Sequence, residues 1–327
     1  MIRGVRIGLI STATALCLAG GSSPLHAQIW AGGQPLRVIV PFPGGASTLD
    51  SVVRTLAPEM SRALGVPVIV DNRPGAGTVI GVDATAKATD GRTIGAVANS
   101  FTVNQTLVKT LPYDGARDLQ PVALMARTAN VLAVRTGLPV SSLGELIDLA
   151  KRSPGKLSYG SFGNGTTAHF AGEMLKTQAG IFVVHIPYRG QGPALTDLIG
   201  GNIDLMFGNL PDFLPHIRTG KLKALGTTYL TRAPLAPEIP TIAEQGFPGF
   251  ETDSWYGVVA PSAMPRDIVE RINAAINRAL EDPAIRRNLS ERGIETIGGT
   301  AARLGEHLRA EIAKYAKIVN ESGMQID

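Results

Sequence analysis

Short apolar runs alternate with segments of helical spacing along the first third of the chain. The runs Leu36–Val40, Val66–Val70 and Thr93–Ala98 are each predicted to be strands buried in a sheet. Apolar residues recur at helical spacing from Val53 to Leu64, where Pro58 predicts a kink or a break, and a helix of small residues precedes the third run. The order β-α-β-α-β predicts a parallel sheet and the α/β fold class.

Two extended segments interrupt this alternation. Pro121–Arg135 is mostly apolar and too long for one ordinary strand, so it is expected to pass from one domain into another. Trp255–Ala260 is the expected return crossing. The chain is therefore predicted to form a first domain of residues 28–130 plus 255–327, with a second domain of residues 131–254 inserted into it. The other predicted elements are helices at 78–88, 142–152, 193–199, 211–220, 266–280, 283–292 and 301–322, and strands at 182–186, 203–207, 223–228 and 295–298.

The N-terminus has the pattern of a secretory signal peptide. Two arginines precede an apolar run from Ile7 to Ala19, and Leu25-His26-Ala27 offers a cleavage site, so residues 1–27 are expected to be removed on export. Without those two arginines the 31 basic residues become 29 against 27 acidic ones, a balance that gives no support to nucleic-acid binding. No later apolar run reaches the roughly 20 residues of a membrane helix, so no membrane insertion is expected after cleavage. The single cysteine, Cys17, lies in the removed segment, and the mature fold must depend on its core alone.

A glycine-rich segment, Leu157–Phe170, joins a short strand to a helix. Gly163 and Gly165 permit backbone angles and close approach that a side chain would forbid. Thr166 or Thr167 is expected to cap the helix that follows. The turn carries no charged side chain. It is therefore predicted to bind a small anion through backbone N–H groups and hydroxyls at the positive end of the helix.

A second glycine-rich turn, Pro41–Thr48, lies in the other predicted domain. Because ligands of open α/β sheets lie beyond the carboxyl ends of strands, we expect the two turns to face each other across a cleft. A micromolar ligand needs about 8 kcal/mol, and hydrogen bonds to a charged group contribute about 1.5–3 kcal/mol each. Neither turn contains an arginine. Arg73 and Arg189 each lie in a loop of their own and are interpreted as structural.

A catalytic function is the main alternative. His169 and Glu173 are spaced for one helix face, and a secreted hydrolase or isomerase could use His169 with Glu173 or Asp204. The His-Glu-x-x-His pattern, a Gly-x-Ser-x-Gly elbow and a cysteine nucleophile are missing, so neither a metal nor another cofactor is expected, and His169 is interpreted as packing behind the turn. Asp204 is either a buried polar residue with local partners or a selectivity group, and Tyr188 lines the cleft or belongs to the core. A third alternative is an interaction or sensor module whose cleft has no ligand.

Several motifs follow one another from about residue 35 to the C-terminus. They are Val40-Pro-Phe-Pro-Gly-Gly45 with Asp50, Asp71-Asn-Arg-Pro-Gly-Ala-Gly77, Leu111-Pro-Tyr-Asp114, Tyr159-Gly-Ser-Phe-Gly-Asn-Gly-Thr166, His185-Ile-Pro-Tyr-Arg-Gly190, Gly200-Gly-Asn-Ile-Asp204 and Pro240-Thr-Ile-Ala-Glu-Gln-Gly-Phe-Pro-Gly-Phe250. In order and number they resemble the periplasmic solute-binding proteins of tripartite tricarboxylate transporters, often called the Bug family.

The resemblance implies a fold like that of type II periplasmic binding proteins, with two α/β domains, a hinge and a ligand cleft. It implies a non-catalytic, monomeric periplasmic receptor for a small carboxylate, with membrane permease subunits or a sensor kinase as partners. In that family the first turn holds the ligand carboxyl, the second closes over it from the other domain, and ordered waters help. The substrate-binding residues expected on both grounds are Phe42, Pro43, Gly44, Gly45, Ser47, Thr48, Ser100, Ser161, Gly163, Asn164, Gly165, Thr166, Tyr188 and Asp204.

The sequence departs from the family pattern at two places. Residues 46–49 separate the glycine pair from Asp50, where the family usually has two residues, so the first turn is expected to be longer or differently threaded. Gly208 stands where an aspartate is common after Met-Phe, which is expected to alter the pocket wall.

Overall fold

Strands and helices alternate along almost the whole described chain. The computed structural model describes Met1, residues 33–45 and residues 47–322, so the predicted signal peptide beyond Met1 lies outside the described residues. The strands are β1 Leu36–Val40, β2 Val68–Asn72, β3 Thr93–Ala98, β4 Leu119–Arg135, β5 Ser158–Ser161, β6 Val184–Pro187, β7 Leu205–Asn209, β8 Leu222–Thr227, β9 Asp253–Pro261 and β10 Glu295–Thr296. The helices are α1 Thr48–Leu64, α2 Val79–Ala86, α3 Asn99–Leu107, α4 Leu143–Arg152, α5 Thr167–Ala179, α6 Gln191–Gly200, α7 Leu210–Arg218, α8 Arg266–Glu281, α9 Pro283–Glu291 and α10 Ala301–Ser322.

The long strand β4 organises the sheet, because its two parts belong to different sets of strands. Its first part, up to Ala129, pairs antiparallel with β9, and its second part, from Asn130, pairs antiparallel with β7 and β8. On one side β1 pairs parallel with β2 and β3, and on the other β5 pairs parallel with β6 and β7. We call β1–β3, β9, β10 and the first part of β4 the first strand group, and β5–β8 with the rest of β4 the second strand group.

Helices cover both faces of each strand group. In the first group, α1 and α8 enclose one apolar cluster and α2, α3 and α10 pack against the other, which contains the fully buried Trp255. In the second group, α4 and α5 enclose a cluster around Tyr159 and Phe207, and α6 and α7 enclose one around Phe213. This arrangement confirms the predicted α/β fold class. Among the described residues, no helix is long and apolar enough to cross a bilayer.

Several elements differ from their predicted bounds, and three of the differences have a direct physical reason. Helix α1 continues through Pro58 without the predicted break; Pro58 is exposed, so water can satisfy the carbonyl that its missing N–H leaves free. Strand β2 begins two residues later than expected, since Pro67 has no N–H to donate to a ladder, although its carbonyl accepts from the Leu36 N–H at 2.9 Å. Helix α3 is absent from the prediction because polar residues occupy its buried positions and hide the apolar spacing.

Candidate functional site

Asp50 fixes the first glycine-rich turn. The Ser47 hydroxyl caps α1 by accepting from the Asp50 N–H at 3.1 Å, and the Asp50 carboxylate accepts from the Gly45 N–H at 2.8 Å. Arg54 and Asn72 donate to the same carboxylate at 2.9 and 2.7 Å. Burial acts to raise the pKa of Asp50, but the hydrogen bonds from Arg54, Asn72 and Gly45 hold it below its ordinary value. The ionised Asp50 carboxylate therefore fixes the conformation of the first glycine-rich turn.

The second glycine-rich turn needs glycine at two positions. Gly163 and Gly165 have φ angles of +135° and +72°, which side chains rarely adopt. The Gly165 N–H donates to His169 Nδ1 at 3.2 Å, and the Thr166 hydroxyl donates to the Gly163 carbonyl at 2.6 Å. Thr166 is the N-cap residue of α5, one of the two predicted, but its hydroxyl closes the turn instead of capping an N–H.

A stack of three rings supports this turn. The His169 and His185 rings lie 4.1 Å apart, and His185 lies 4.7 Å from the Tyr159 ring. Burial lowers the pKa of His169 to about 4, and burial together with His169 lowers the pKa of His185 to about 3, so both rings are neutral near pH 7. Ser161 Oγ shares a hydrogen bond with His185 Nε2 at 2.7 Å. The prediction that His169 packs behind the turn is confirmed.

A central cleft lies between the two strand groups and contains most of the polar groups of interest. The space inside it that a water-sized sphere can occupy is only about 30 Å³, far below the ~300–1,000 Å³ typical of small-molecule sites, so the cleft must open to admit a ligand. None of the described residues that line it is charged. Its lining consists of Phe42, Ser47, Thr48, Leu49, Ala98, Asn99, Ser100, Phe162, Thr166, Thr167, Gln191, Asn209, Ser254 and Tyr256.

Four helices begin at this cleft. Thr48, Asn99, Thr167 and Gln191 are the first residues of α1, α3, α5 and α6, and all four line it. Two of these helices belong to the first strand group and two to the second. Since the N-terminus of a helix presents free N–H groups and the positive end of its dipole, the cleft favours an anion without containing a cation.

Hydrogen bonds cross the cleft and join the two strand groups. The Thr48 hydroxyl donates to Asp212 Oδ2 at 2.9 Å and accepts from Asn209 Nδ2 at 2.8 Å. The side-chain amide of Gln191 donates through Nε2 to the same Asp212 oxygen, and its Oε1 accepts from the Asn209 backbone N–H at 2.7 Å. Burial raises the pKa of Asp212, against the opposing effect of the Thr48 hydrogen bond. The structure is therefore closed across the cleft.

The predicted site residues are only partly brought together. Phe42, Ser47, Thr48, Ser100 and Thr166 line the central cleft. Pro43, Gly163 and Tyr188 line an outer chamber that shares Phe42, Phe162 and Thr166 with it, and Gly45 lines a groove on the other side. Gly44 lies against Asn72, where an added Cβ would be 3.1 Å from Oδ1, and the Asn164 carbonyl approaches Gly77. Ser161 and Gly165 are buried in the turn and support it.

Asp204 lies away from the cleft, so its inclusion among the substrate-binding residues is corrected. Its carboxylate accepts from Arg135 Nε at 2.8 Å and from the Ser158 N–H at 2.9 Å. Ser158 begins β5 and Asp204 directly precedes β7, so Asp204 lies at the amino ends of these parallel strands. The cleft lies beyond their carboxyl ends, at Ser161 and Asn209. Of its two interpretations, the polar residue with local partners is the one that the structure bears out.

Sequence reasoning missed six polar residues of the lining. They are Asn99, Thr167, Gln191, Asn209, Ser254 and Tyr256. Asn99 directly follows β3 and Asn209 is the last residue of β7, so the rule that ligands lie at carboxyl strand ends could have found them. Ser254 and Tyr256 come from β9, which runs antiparallel to β3, and no motif marks them. Gly208, expected to alter the pocket wall, faces Phe213 instead, because an added Cβ would lie 2.0 Å from that ring.

The residues named for the catalytic alternatives have structural partners within the described part of the chain. Glu173 is hydrogen-bonded to the Tyr159 hydroxyl at 2.6 Å and to Lys176 at 2.8 Å, and Asp204 pairs with Arg135. Ser161 and His185 form a serine–histidine pair, but Ser161 is fully buried and does not line the central cleft. Within residues 33–45 and 47–322, no three His, Cys, Asp or Glu side chains are grouped to hold a metal ion.

The place where β9 meets β4 contains a half-buried acid whose raised pKa makes the stability of the fold depend on pH. Burial and the Glu311 carboxylate raise the pKa of Asp253 from 3.8 to about 6. Below about pH 4 the acid is neutral in both folded and unfolded chains. As the pH rises towards 6, ionisation increasingly favours the unfolded chain, so the free energy of unfolding falls.

Replacing Asp253 by asparagine is expected to remove this loss. The variant should match the wild type near pH 3 and exceed its free energy of unfolding by about 3 kcal/mol at pH 8, since the pKa shift is about two units and each unit corresponds to about 1.4 kcal/mol. Urea unfolding at the two pH values measures the difference. Asp148→Asn, at an exposed position on α4, is the matched control for loss of a charge, and equal stability of Asp253→Asn and wild type at pH 8 would refute the effect.

Comparison with known proteins agrees with this architecture. The family model described as "Tripartite tricarboxylate transporter family receptor" matches residues 52–324. A UPF0065 protein from the tcbD-tcbE intergenic region of Pseudomonas sp. (strain P51) is 39% identical over 290 residues, covering 88% of this chain and 86% of the relative. Among solved structures, R. palustris Rpa4515 with adipate has a TM-score of 0.85 and 35% identity, covering 89% of this chain and 98% of that one.

A further solved structure carries a different acid. MatC from Rhodopseudomonas palustris, with bound malate, has a TM-score of 0.82 and 29% identity, covering 87% of this chain and 98% of that one. The family match spans more than half of the chain, and the similarity to solved periplasmic binding proteins extends over most of it. This chain therefore belongs to the receptor family of the tripartite tricarboxylate transporters, the family that its motifs resemble.

Proposed function

We propose that this protein captures a small carboxylate in the central cleft and presents it to the membrane permease of a tripartite tricarboxylate-type transporter. One observation carries the proposal: the first residues of four helices, two from each strand group, line a single uncharged cleft. Such a cleft favours an anion and disfavours a cation. The relatives solved with adipate and malate support a carboxylate as that anion.

The energies available agree with ordinary receptor affinity. Four helix N-termini contribute roughly 1–4 kcal/mol together. Two or three hydrogen bonds from hydroxyl and amide groups to a carboxylate, at about 1.5–3 kcal/mol each, bring the sum to the ~8 kcal/mol of a micromolar ligand. Hydroxyls are abundant in the lining, and Ser47, Thr48, Ser100 and Thr167 each lie in the first residues, or at the cap, of a helix.

We propose that residues 28–130 plus 255–327 and residues 131–254 act as two lobes that close on the ligand. The chain passes between them where β4 changes partners and again near the start of β9, so bending is confined to two short stretches. The Thr48–Asp212 and Thr48–Asn209 hydrogen bonds would form on closure and break on opening. The receptor is proposed to be a periplasmic, non-catalytic monomer, with permease subunits as its partners and a sensor kinase as the second possible partner.

Thermal denaturation of ligand-free protein with a panel of acids tests this function. The panel holds succinate, malate, citrate, adipate and suberate, with adipamide as an uncharged match for adipate. A carboxylate at 100 times its Kd is expected to raise the midpoint by about 5–10 °C, and adipamide is expected to have no effect. Stabilisation by adipamide equal to that by adipate, or no shift with any acid on folded protein, would contradict the proposal.

A further inference from the structure

The outer chamber continues the central cleft towards solvent. The two share Phe42, Phe162 and Thr166, so a ligand seated in the cleft can extend into the chamber. The chamber walls are mainly apolar and backbone surfaces: they include Pro41, Pro43, Pro74, Ile80 and Tyr188. This lining suits the methylene chain of a ligand better than a heavily hydroxylated one.

One cation faces this apolar chamber. Arg189 is the single charged residue among those that line it. Its side chain is exposed and makes no hydrogen bond or ion pair with any residue in the described ranges. Arg73, the other loop arginine, pairs with Asp71 at 2.9 Å. The sequence suggested a structural role for both arginines. Arg73 has such a role through its ion pair, whereas the guanidinium of Arg189 is free and lies at the mouth of the central cleft.

The backbone directly before Arg189 is anchored by two hydrogen bonds of Tyr188. The preceding Tyr188 donates its hydroxyl to Asp197 at 2.7 Å and its N–H to the Ser161 carbonyl at 3.0 Å. Facing it, Ala76 and Thr78 have φ angles of +47° and +80°, a conformation that costs energy for residues with a Cβ. Strain of this kind persists mainly where surrounding structure and function require it. Both walls of the chamber are thus fixed in shape.

We propose that Arg189 is the residue that selects dianionic ligands. This inference rests on the proposed function, because the first carboxylate occupies the central cleft. The chain of an aliphatic α,ω-dicarboxylate then passes Phe42 and Phe162, and its second carboxylate meets the Arg189 guanidinium, which can bind it through two parallel N–H donors. A monocarboxylate of the same length leaves the guanidinium unpaired and gains only the inner contacts.

Calorimetric titration of matched pairs tests the role of Arg189. Each pair joins a dicarboxylate with the monocarboxylate of equal carbon number, from succinate and butyrate to suberate and octanoate. The wild type is expected to bind the best-fitting dicarboxylate at least tenfold more tightly than its partner. Arg189→Gln should weaken that dicarboxylate about tenfold and leave the monocarboxylate unchanged, and Arg189→Lys should retain an intermediate preference.

A control substitution, together with the affinities of both acids of a pair, distinguishes a failure of this inference from a failure of the proposed function. Arg287→Gln removes one positive charge from an exposed position on α9, outside the chamber lining, and should leave every affinity unchanged. If Arg189→Gln weakens both members of a pair equally, or neither, Arg189 does not select dianions although the receptor function stands. If no acid of either series binds the folded wild type, both proposals are overturned.

Discussion

Replacing Asn209 by alanine is expected to lower the free energy of unfolding by about 3–5 kcal/mol and to abolish carboxylate binding. Asn209 is buried, with 6% of its surface exposed, and uses both ends of its amide. Its Nδ2 donates to the Thr48 and Tyr256 hydroxyls at 2.8 and 3.1 Å, and its Oδ1 accepts from Ser254 Oγ at 2.7 Å. Truncation leaves several buried polar groups without partners, each at a cost of about 1–3 kcal/mol.

Urea unfolding of the two proteins measures the first effect, and titration with the best carboxylate measures the second. Asn202→Ala is the matched control, because Asn202 is exposed and its side chain donates a single hydrogen bond, to Asp197 Oδ1 at 3.1 Å. It should change the free energy of unfolding by less than about 1 kcal/mol. A loss below 1 kcal/mol for Asn209→Ala would show that the network across the cleft contributes little.

Gly172→Val is expected to lower the free energy of unfolding by about 3 kcal/mol. A Cβ at Gly172 would lie 2.3 Å from Tyr159 Cε2, closer than any real contact. The Tyr159 ring cannot retreat, because it is fully buried, stacks on His185 and donates its hydroxyl to Glu173. Overpacking of such a site typically costs about 1–3 kcal/mol, and more where the neighbour is held on several sides. Since Tyr159 supports the second turn, affinity for the carboxylate should fall as well.

Gly144→Val provides the comparison for this substitution. Gly144 also lies in a helix, but an added Cβ there meets nothing within 4 Å. Valine and glycine differ by only a few tenths of a kcal/mol in helix propensity, so the control should stay within about 0.5 kcal/mol of the wild type. Equal stability of the two valine variants in urea would mean that Tyr159 moves aside freely and does not hold the turn.

The sequence pattern predicts those parts of the fold that depend on apolar periodicity. Strand β3 is found with its observed bounds, the long crossing of β4 is recognised, and both glycine-rich turns lie next to the cleft. Helix α3 shows the limit: Asn99, Ser100, Thr102 and Asn104 are buried there, and their polar character hides a helix whose first residues line the cleft. The position of a buried polar residue depends on its hydrogen-bond partners, and apolar periodicity carries no information about those partners.

Only those parts of the site that lie within one strand group can be predicted from the sequence. The two turns and the carboxyl ends of their strands follow from local chemistry. Ser254 and Tyr256 enter the cleft from β9, and Asp212 reaches Thr48 across 164 positions of sequence, because the sheet passes twice between the strand groups. Asp204 shows an error in the other direction, a residue wrongly assigned to the site. The sequence does not show at which end of the parallel strands it lies, because its partner Arg135 is 69 positions away.

Titration calorimetry of Ser100 variants tests the central claim most directly, that a carboxylate binds where the four helices begin. Ser100 lines the cleft in the first turn of α3 and accepts from the Thr78 hydroxyl at 2.9 Å. In Ser100→Asp a fixed negative charge occupies the anion site, while Ser100→Asn supplies a side chain of the same size without charge. Because Ser100 is buried, both substitutions are expected to lower the thermal midpoint, and the titrations use protein that circular dichroism shows to be folded.

The account predicts that Ser100→Asp weakens the best carboxylate at least 100-fold and that Ser100→Asn weakens it less than tenfold. Equal affinities of the two variants would contradict it, because the ligand would then be insensitive to a like charge in the central cleft.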